Sequence, residues 1–245
     1  MFHCFIDESC FMSPDQPDVI TLKDSNFHHL IRVARVKAGE KITCHFEQKN
    51  YFGEVSKITK ESAQVKVLKI EENSEILPYK VTLAQGLTKA DKLEDIIQKC
   101  TEAGVSEIIP LEMTRSIIKA ADADKKLERW QKIALSASEQ CGRTTLVKIE
   151  KPLKLSELNL AAYDLVILCD EKEEHKTIKS VLSTLKTKKD TKSLLYIVGP
   201  EGGLAPEEVT LLKEKGVISV TLGPRIYRAE TAPIIFMAML NYESL

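Results

Sequence analysis

The feature that most constrains the fold is the alternation of apolar runs with amphipathic segments after Pro78. Residues 80–85, 165–169 and 194–198 have the length and apolar content of buried strands, and amphipathic segments separate them. Strands and helices that alternate in this way predict a largely parallel sheet with helices on both faces. In such a sheet, ligands bind beyond the carboxyl ends of the strands.

The remaining elements of this part are predicted from spacing and from glycines or prolines at their ends. Helices are predicted over about 89–103, 124–140, 206–215 and 230–242, strands over 107–111, 147–149 and 217–222, and a surface helix with its exit loop over the lysine-rich residues 172–192. Trp130 lies in the second of these helices and is interpreted as a core residue rather than a stacking platform for a base.

The first part of the chain has a different pattern, with short alternating runs that predict a small β domain. Examples are residues 41–46, 51–55 and 63–70. A helical turn is predicted over 25–33, with Ser25 as its cap. The polar stretch 71–75 is the candidate linker, so we place one domain at residues 1–73 and the other at 74–245.

The overall charge excludes a general nucleic-acid coat protein. The 245 residues include 35 Lys and Arg against 36 Asp and Glu, for a net charge of -1, so any RNA contact must be local. Basic residues do cluster in one region, where the alternative is a solvated helix face; they are Arg115, Lys119, Lys125, Lys126, Arg129, Lys132, Arg143 and Lys148.

Neither a metal site nor a membrane span is expected. The six cysteines form no Cys-x-x-Cys pair, and the adjacent His28 and His29 point in different directions on a helix with no third ligand near them. No apolar run approaches the roughly 20 residues of a membrane helix, and no basic-then-apolar leader opens the chain. We therefore expect reduced thiols in a soluble cytoplasmic protein.

Two glycine-bearing bends are the candidate ligand site. Residues 198–203 read Val-Gly-Pro-Glu-Gly-Gly after a buried strand, and residues 222–231 read Leu-Gly-Pro-Arg-Ile-Tyr-Arg-Ala-Glu-Thr after the next strand. The helix that begins at Pro206 has acids in its first turn, which disfavours phosphate. The dinucleotide and phosphate-loop motifs are also absent, so an adenosine ligand without phosphates fits better.

These two motifs resemble the RsmE family of the SPOUT superfamily. Three further segments are similar at matching places, namely 89–94, 115–116 and 129–134 with 139–143, and so is 27–33. The resemblance therefore covers almost the whole chain. It implies methylation of N3 of a uridine, position 1498, in bacterial 16S ribosomal RNA of the small subunit, with S-adenosylmethionine as the cofactor.

The resemblance also implies the fold and the cofactor contacts. An N-terminal PUA-like small β-barrel would precede a SPOUT α/β domain whose last segment threads a trefoil knot, and two chains would form a homodimer. Sequence patterns alone would predict an open sheet without a knot. The implied cofactor-binding residues are Leu168, Gly199, Pro200, Glu201, Gly202, Leu222, Gly223, Ile226, Tyr227 and Arg228.

Methylation of uracil N3 requires a base for the N3 proton and a cation for the charge that spreads onto the uracil oxygens. Arg228 is the candidate cation. Its alternatives are a salt bridge with Glu230 or a cap on a neighbouring strand end. Glu201 is the candidate base or the group that holds the cofactor's amino group. Alternatively, Glu201 is an acid that is favoured near the start of the next helix. Glu230 and Thr231 open the final helix and can simply satisfy its free amide groups.

The candidate RNA contacts follow the same family segments. They are His28, His29, Arg32, Arg115, Arg129, Lys132 and Arg143. Two departures from the family stand out: Phe2-His3-Cys4-Phe5 lacks the usual nearby arginine, and residues 47–51 lack the usual glycine hairpin, so we expect a longer or looser loop there.

Two other functions remain open at this point. The cofactor bends also suit a knotted methyltransferase for another RNA, such as transfer RNA or large-subunit RNA. A non-catalytic ribosome assembly factor would need only the small β domain and the local basic clusters.

Overall fold

The computed structural model describes residues 2–11, 17–72, 77–185 and 191–244. The chain divides into two compact units. One consists of Met1–Glu75 and Ser138–Leu146, and the other of Ile76–Ala137 and Val147–Leu245.

The first unit is built on a five-stranded sheet in its described part. The strands are β1 (Phe2–Phe5), β2 (Val19–Leu22), β3 (Lys41–Phe46), β4 (Lys49–Ile58) and β5 (Ala63–Glu72), in the order β1-β3-β4-β5-β2. Only the β1–β3 pair is parallel among these neighbours. Alternate residues such as Ile42, Cys44, Val55 and Val65 fill its core, which confirms the predicted small β domain.

Two local predictions in this unit are wrong or only partly tested. The helical turn consists of α1 (Asp24–Phe27) and a π-helix (His28–Val33), and Lys23 precedes it without a side-chain cap. Ser25 lies inside the helix and is not its cap. Of the predicted linker, Glu71 and Glu72 belong to β5, and residues 73–75 lie outside the described ranges.

The prediction of a longer or looser loop between β3 and β4 is also wrong. Phe46 pairs with Lys49, which leaves a turn of two residues. Glu47 and Gln48 both have left-handed backbones, with φ of 46° and 62°. Tight hairpin turns with two positive φ values match the twist of the strands, so the geometry of the hairpin overrides the unsuitable sequence.

The second unit contains a parallel sheet. Its strands are β6 (Lys80–Gly86), β7 (Glu107–Glu112), β8 (Lys148–Ile149), β9 (Leu153–Lys154), β10 (Leu165–Cys169), β11 (Ser193–Val198) and β12 (Ile218–Val220). The strand order is β12-β10-β11-β6-β7-β8, with β9 pairing with β7, and the pairs in this order are all parallel. This confirms the predicted parallel sheet.

Helices follow most of these strands. They are α2 (Ala90–Glu102), α3 (Ala120–Asp124), α4 (Leu127–Cys141), α5 (Ile178–Leu185), α6 (Pro206–Glu214) and α7 (Ala232–Ser244). The predicted helix 124–140 corresponds to α4, with α3 ending at Asp124, and the lysine-rich helix is α5. Residues 186–190 of that lysine-rich stretch lie outside the described ranges. The predicted strand 217–222 is shorter, because the chain leaves the sheet after Val220.

Both faces of this sheet are covered. In β11, Leu194 and Tyr196 belong to one core and Leu195 and Ile197 to the other. Trp130 is 1% exposed in the first core, as predicted for a core residue. The continuous apolar strands thus have the burial expected of a sheet between two layers of helices.

No helix in the described ranges has both the length and the apolar character needed to cross a membrane. Nor do three or more His, Cys, Asp or Glu residues of those ranges come together as a group that could hold a metal ion.

The β3–β4 turn yields a stability prediction. Replacing Glu47-Gln48 by Asn-Gly should raise the free energy of unfolding by about 1 kcal/mol, because these residues tolerate positive φ. Urea denaturation of both proteins measures this. The matched control replaces both residues by Ala, which keeps the strained Cβ atoms and should give no gain. An Asn-Gly variant no more stable than the Ala-Ala variant would contradict the assignment of strain.

Candidate active site

A cavity of about 920 Å³ lies at the carboxyl ends of β10, β11 and β12. The loops that follow these three strands line it, together with residues at the start of α6 and α7 and Lys213 near the end of α6. The position is the one that the parallel sheet predicts for a ligand. Val198, Leu204, Leu222 and Ala232 give it apolar surface.

The loop after β11 passes directly over the end of β6. A Cβ atom added to Gly86 would lie 2.4 Å from the Pro200 nitrogen and 2.8 Å from the Gly199 carbonyl carbon. The buried Gln85 side chain donates from Nε2 to the Gly199 oxygen at 3.3 Å. Only glycine at position 86 allows this approach, so the path of the loop depends on it.

Two glycines in the lining loops need left-handed backbones. Gly203 has φ of 70° and Gly223 has φ of 138°. The Gly203 N–H donates to the Pro200 carbonyl at 2.9 Å, which closes a tight turn. Thr221 holds Gly223, since its Oγ1 accepts from the Gly223 N–H at 3.2 Å and donates to the Gly223 carbonyl at 3.0 Å. Backbone thus forms much of the cavity wall.

A charged network borders the cavity. Glu201 Oε1 accepts from the Lys89 backbone N–H at 3.1 Å and lies 3.8 Å from Lys92 Nζ. Lys92 Nζ also donates to Glu230 Oε2 at 3.2 Å, and Arg228 Nη1 lies 4.0 Å from Glu230 Oε1. Burial raises the pKa of Glu230, but its own backbone N–H, Lys92 and Arg228 lower it to below the usual value. The Glu230 carboxyl is therefore ionised at neutral pH.

The structure adds an acidic residue to the site that sequence reasoning missed. Asp170 directly follows β10 and is only 6% exposed. It accepts from Ser219 Oγ at 3.1 Å and from the Lys172 N–H at 3.0 Å, and Lys213 Nζ lies 3.9 Å away. An acid that directly follows a buried strand was the available signal.

Most of the predicted cofactor residues come together. The cavity lining includes Gly199, Pro200, Glu201, Leu222, Gly223, Ile226, Tyr227 and Arg228. Leu168 and Gly202 are not part of it. Leu168 is buried in the core, and its neighbour Cys169 lines the cavity instead. Burial raises the pKa of the Cys169 thiol, which stays protonated at neutral pH.

The predicted RNA contacts are spread over both units. In the first unit, His28 is exposed, and His29 Nε2 lies 3.9 Å from Glu139 Oε2. Arg32 stacks over Phe27. Arg143 lies 3.5 Å from Thr145 Oγ1. The second unit holds the other three, and each has a partner. Arg115 donates to the Gly202 carbonyl, Arg129 to Glu94 and Lys132 to Glu128.

The cavity, the parallel sheet and the small β domain together define the class of protein. A family described as RNA methyltransferase domain matches residues 75–241, and one described as RNA methyltransferase PUA domain matches residues 22–68. The fold is thus that of an RNA methyltransferase with a PUA-like N-terminal domain.

Relatives narrow this class. The chain is 34% identical over 239 residues to the ribosomal RNA small subunit methyltransferase E of Bacillus subtilis, over 94% of this chain and 92% of the relative. It is therefore a member of the ribosomal RNA small subunit methyltransferase E (RsmE) family, which confirms the resemblance seen in the sequence.

Solved structures agree with the family. The methyltransferase E of Neisseria gonorrhoeae bound to S-adenosyl methionine is 28% identical, with a TM-score of 0.77 over 99% of this chain and 97% of that one. A putative methyltransferase of Legionella pneumophila in complex with the bound cofactor SAM is 27% identical. Its TM-score is 0.80, over 98% of this chain and 97% of that one.

Gly86 provides a test of the loop path. Gly86→Ala should lower the free energy of unfolding by about 2 kcal/mol or more, because the new methyl group would overlap the backbone of the β11 loop. Hydrogen exchange at residues 199–204 should also become faster.

Gly216→Ala is the matched control. It has φ of 82° and nothing within 4 Å of its added Cβ, so it carries only the backbone cost of about 1 kcal/mol and should leave exchange at 199–204 unchanged. Equal exchange in the Gly86→Ala and wild-type proteins would contradict the close approach.

Proposed function

We propose that this protein methylates N3 of one uridine, position 1498, in the 16S ribosomal RNA of the small subunit, with S-adenosylmethionine as the methyl donor. The single observation that carries the proposal is the cavity at the carboxyl ends of β10–β12, lined by the two glycine-bearing loops of an RsmE-family chain. The structure of a family member from Neisseria gonorrhoeae was solved with this cofactor.

The residues of the cavity fit this cofactor. Gly203 has a left-handed backbone with φ of 70°, which disfavours a side chain at this bend of the cavity wall. The apolar surfaces of Val198, Leu204 and Leu222 suit an adenine ring. The carboxylates of Glu171 and Glu201 in the lining suit a cationic ligand. When bound, S-adenosylmethionine supplies an electrophilic methyl group on a positively charged sulfur.

We assign Gly199, Pro200, Glu201, Leu222, Gly223, Ile226, Tyr227 and Arg228 to the cofactor site, with Gly202 and Leu168 supporting it from behind. Glu201 is held at the rim by the Lys89 N–H and by Lys92. In this position its carboxylate binds the amino group of the cofactor or takes the N3 proton.

Arg228 is the proposed catalytic cation. Its side chain is 83% exposed, and its ion pair with Glu230 is long, at 4.0 Å. Such an exposed ion pair contributes at most about 1 kcal/mol of stability. The guanidinium can therefore rotate toward a deprotonated uracil at little cost in free energy. As N3 loses its proton, negative charge spreads onto the uracil oxygens, and a guanidinium donor stabilises that charge.

We further propose the assembly of the protein and its substrate site. Residues 1–73 form an RNA-binding PUA-like barrel and residues 74–245 the SPOUT domain. RNA is contacted by His28, His29, Arg32, Arg115, Arg129, Lys132 and Arg143. The protein acts in the cytoplasm as a homodimer. Ile226 supports the dimer, because this large apolar side chain is 76% exposed beside the cavity.

The proposal includes a trefoil knot in the SPOUT domain. The segments after β10 and β12 lie against each other, since the Thr221 N–H donates to the Lys176 carbonyl at 2.8 Å and the Ile178 N–H to the Thr221 carbonyl at 3.0 Å. These bonds hold the two segments side by side at the place where the proposed knot lies.

A methyl-transfer assay tests the function. Purified protein with tritiated S-adenosylmethionine should label assembled small subunits from cells that lack the protein, and mass spectrometry should find the label as N3-methyluridine at one position. Subunits from cells that contain the protein are the control and should take up little label. Label in transfer RNA or large subunits instead would favour the related methyltransferase. No label, together with no binding of the cofactor in calorimetry, would favour an assembly factor.

Arg228→Ala should lower turnover on the order of 100-fold and change cofactor affinity by no more than a few fold, because the lost donor acts on charge that develops during the reaction. Arg228→Lys keeps the charge and should recover part of the turnover. Single-turnover kinetics and calorimetry measure the two quantities. Unchanged turnover in Arg228→Ala would remove Arg228 from the mechanism.

A further inference from the structure

Arg115 lies beside the back of the loop that follows β11, outside the cavity lining. Its Nη1 donates to the Gly202 carbonyl at 3.0 Å. A Cβ atom added to Gly202 would lie 3.0 Å from Arg115 Cβ and 3.3 Å from the Arg115 carbonyl oxygen. The backbone of the loop therefore rests on Arg115 and is hydrogen-bonded by its guanidinium.

A second contact joins the same two segments. Glu208 is 8% exposed, and its Oε1 accepts from the Thr114 N–H at 2.7 Å. Its Oε2 accepts from the Ala205 N–H at 3.0 Å. This one carboxylate thus joins the residue before Arg115 to the end of the β11 loop.

These contacts span a strand. Thr114 and Arg115 follow β7, whereas Gly202 and Ala205 follow β11, and β6 lies between the two strands in the sheet. The β11 loop is therefore held at three successive places. At the end of β6, Gly86 leaves space for the loop backbone. The Lys89 N–H donates to Glu201. Arg115 and Glu208 bond the Gly202 carbonyl and the Ala205 N–H.

We propose that Arg115 is a positioning residue for the cofactor loop, acting with Glu208 as a clasp that holds residues 199–205 in the shape that binds S-adenosylmethionine. The proposal rests on the proposed function for the identity of the ligand. It gives Arg115 a role apart from the phosphate contact predicted from sequence. The guanidinium has five N–H donors in a fork, so one can hold Gly202 while others contact RNA.

A positioning role of Arg115 couples the binding of the cofactor to the binding of RNA. If RNA phosphate and the Gly202 carbonyl share one guanidinium, RNA binding fixes the arginine and with it the loop. Cofactor and RNA then bind with a coupling that is equal in both directions.

The test compares Arg115→Met with Arg129→Met, an exposed arginine that donates to Glu94 and does not contact the loop. Cofactor affinity is measured by calorimetry without RNA. Arg115→Met should weaken it on the order of tenfold, because a charge-assisted hydrogen bond that orders the loop is lost. Arg129→Met should stay within twofold of wild type. Arg115→Lys keeps the charge and a donor group, so its cofactor affinity should lie between those of wild type and Arg115→Met.

Glu208→Gln is the second variant, since it keeps the size of the side chain but places an amide N–H group against a backbone N–H donor. It should weaken cofactor affinity in the same direction. Hydrogen exchange of the cofactor-free protein, read at the Gly203 and Ala205 amides, should become faster in both Arg115→Met and Glu208→Gln.

The outcomes separate this proposal from the proposed function. Wild-type cofactor affinity and wild-type exchange in Arg115→Met, with weaker RNA binding alone, would overturn the clasp and leave Arg115 a phosphate contact. If the wild-type protein binds no cofactor, the proposed function fails, whereas faster exchange at Gly203 and Ala205 in both variants would still support the clasp.

Discussion

The close approach of the β11 loop to the end of β6 is the constraint on which the rest of the site depends. Pro200 restricts the path of the chain, and Gly86 leaves the space that this path occupies. The buried Gln85 amide bonds both the Gly86 and the Gly199 carbonyls. Residues 199–201 and 203–204 of this loop line the cavity, so the wall that they form depends on the close approach to β6.

The distribution of charge around that cavity suits a reaction between a cation and an anion. The chain as a whole has a net charge of -1, so its field does not decide what binds. Asp170, Glu171 and Glu201 line the cavity, where they favour a cationic methyl donor. Arg228 lies in the loop after β12, and its side chain is 83% exposed. In the proposed mechanism its charge is available to an anionic uracil. Basic side chains also line the cavity. They include Lys172, from the same loop as Asp170 and Glu171, and Lys213, whose Nζ lies 3.9 Å from Asp170.

The sequence predicted what depends on local patterns and missed what depends on contacts between distant segments. Continuous apolar runs identified β10 and β11, and the glycine-bearing motifs located the cavity. The prediction of a longer or looser loop at Glu47 and Gln48 was wrong, because hairpin geometry imposed a backbone conformation that these residues disfavour. The contact of Arg115 with Gly202 could not be predicted, because it requires knowing that β6 alone separates β7 from β11.

The exposure of Arg228 has a consequence for how such a site works. A donor that is 83% exposed interacts weakly with any charge, because water screens it. The same donor becomes much stronger once a bound base excludes that water. In the proposed mechanism, Arg228 therefore gains its effect from the bound uracil. The cavity wall, in contrast, is fixed by buried contacts such as those of Glu208 and Gln85. Under the proposed function, a cavity wall held by buried hydrogen bonds lies beside an exposed cation, and the binding of RNA completes the active site.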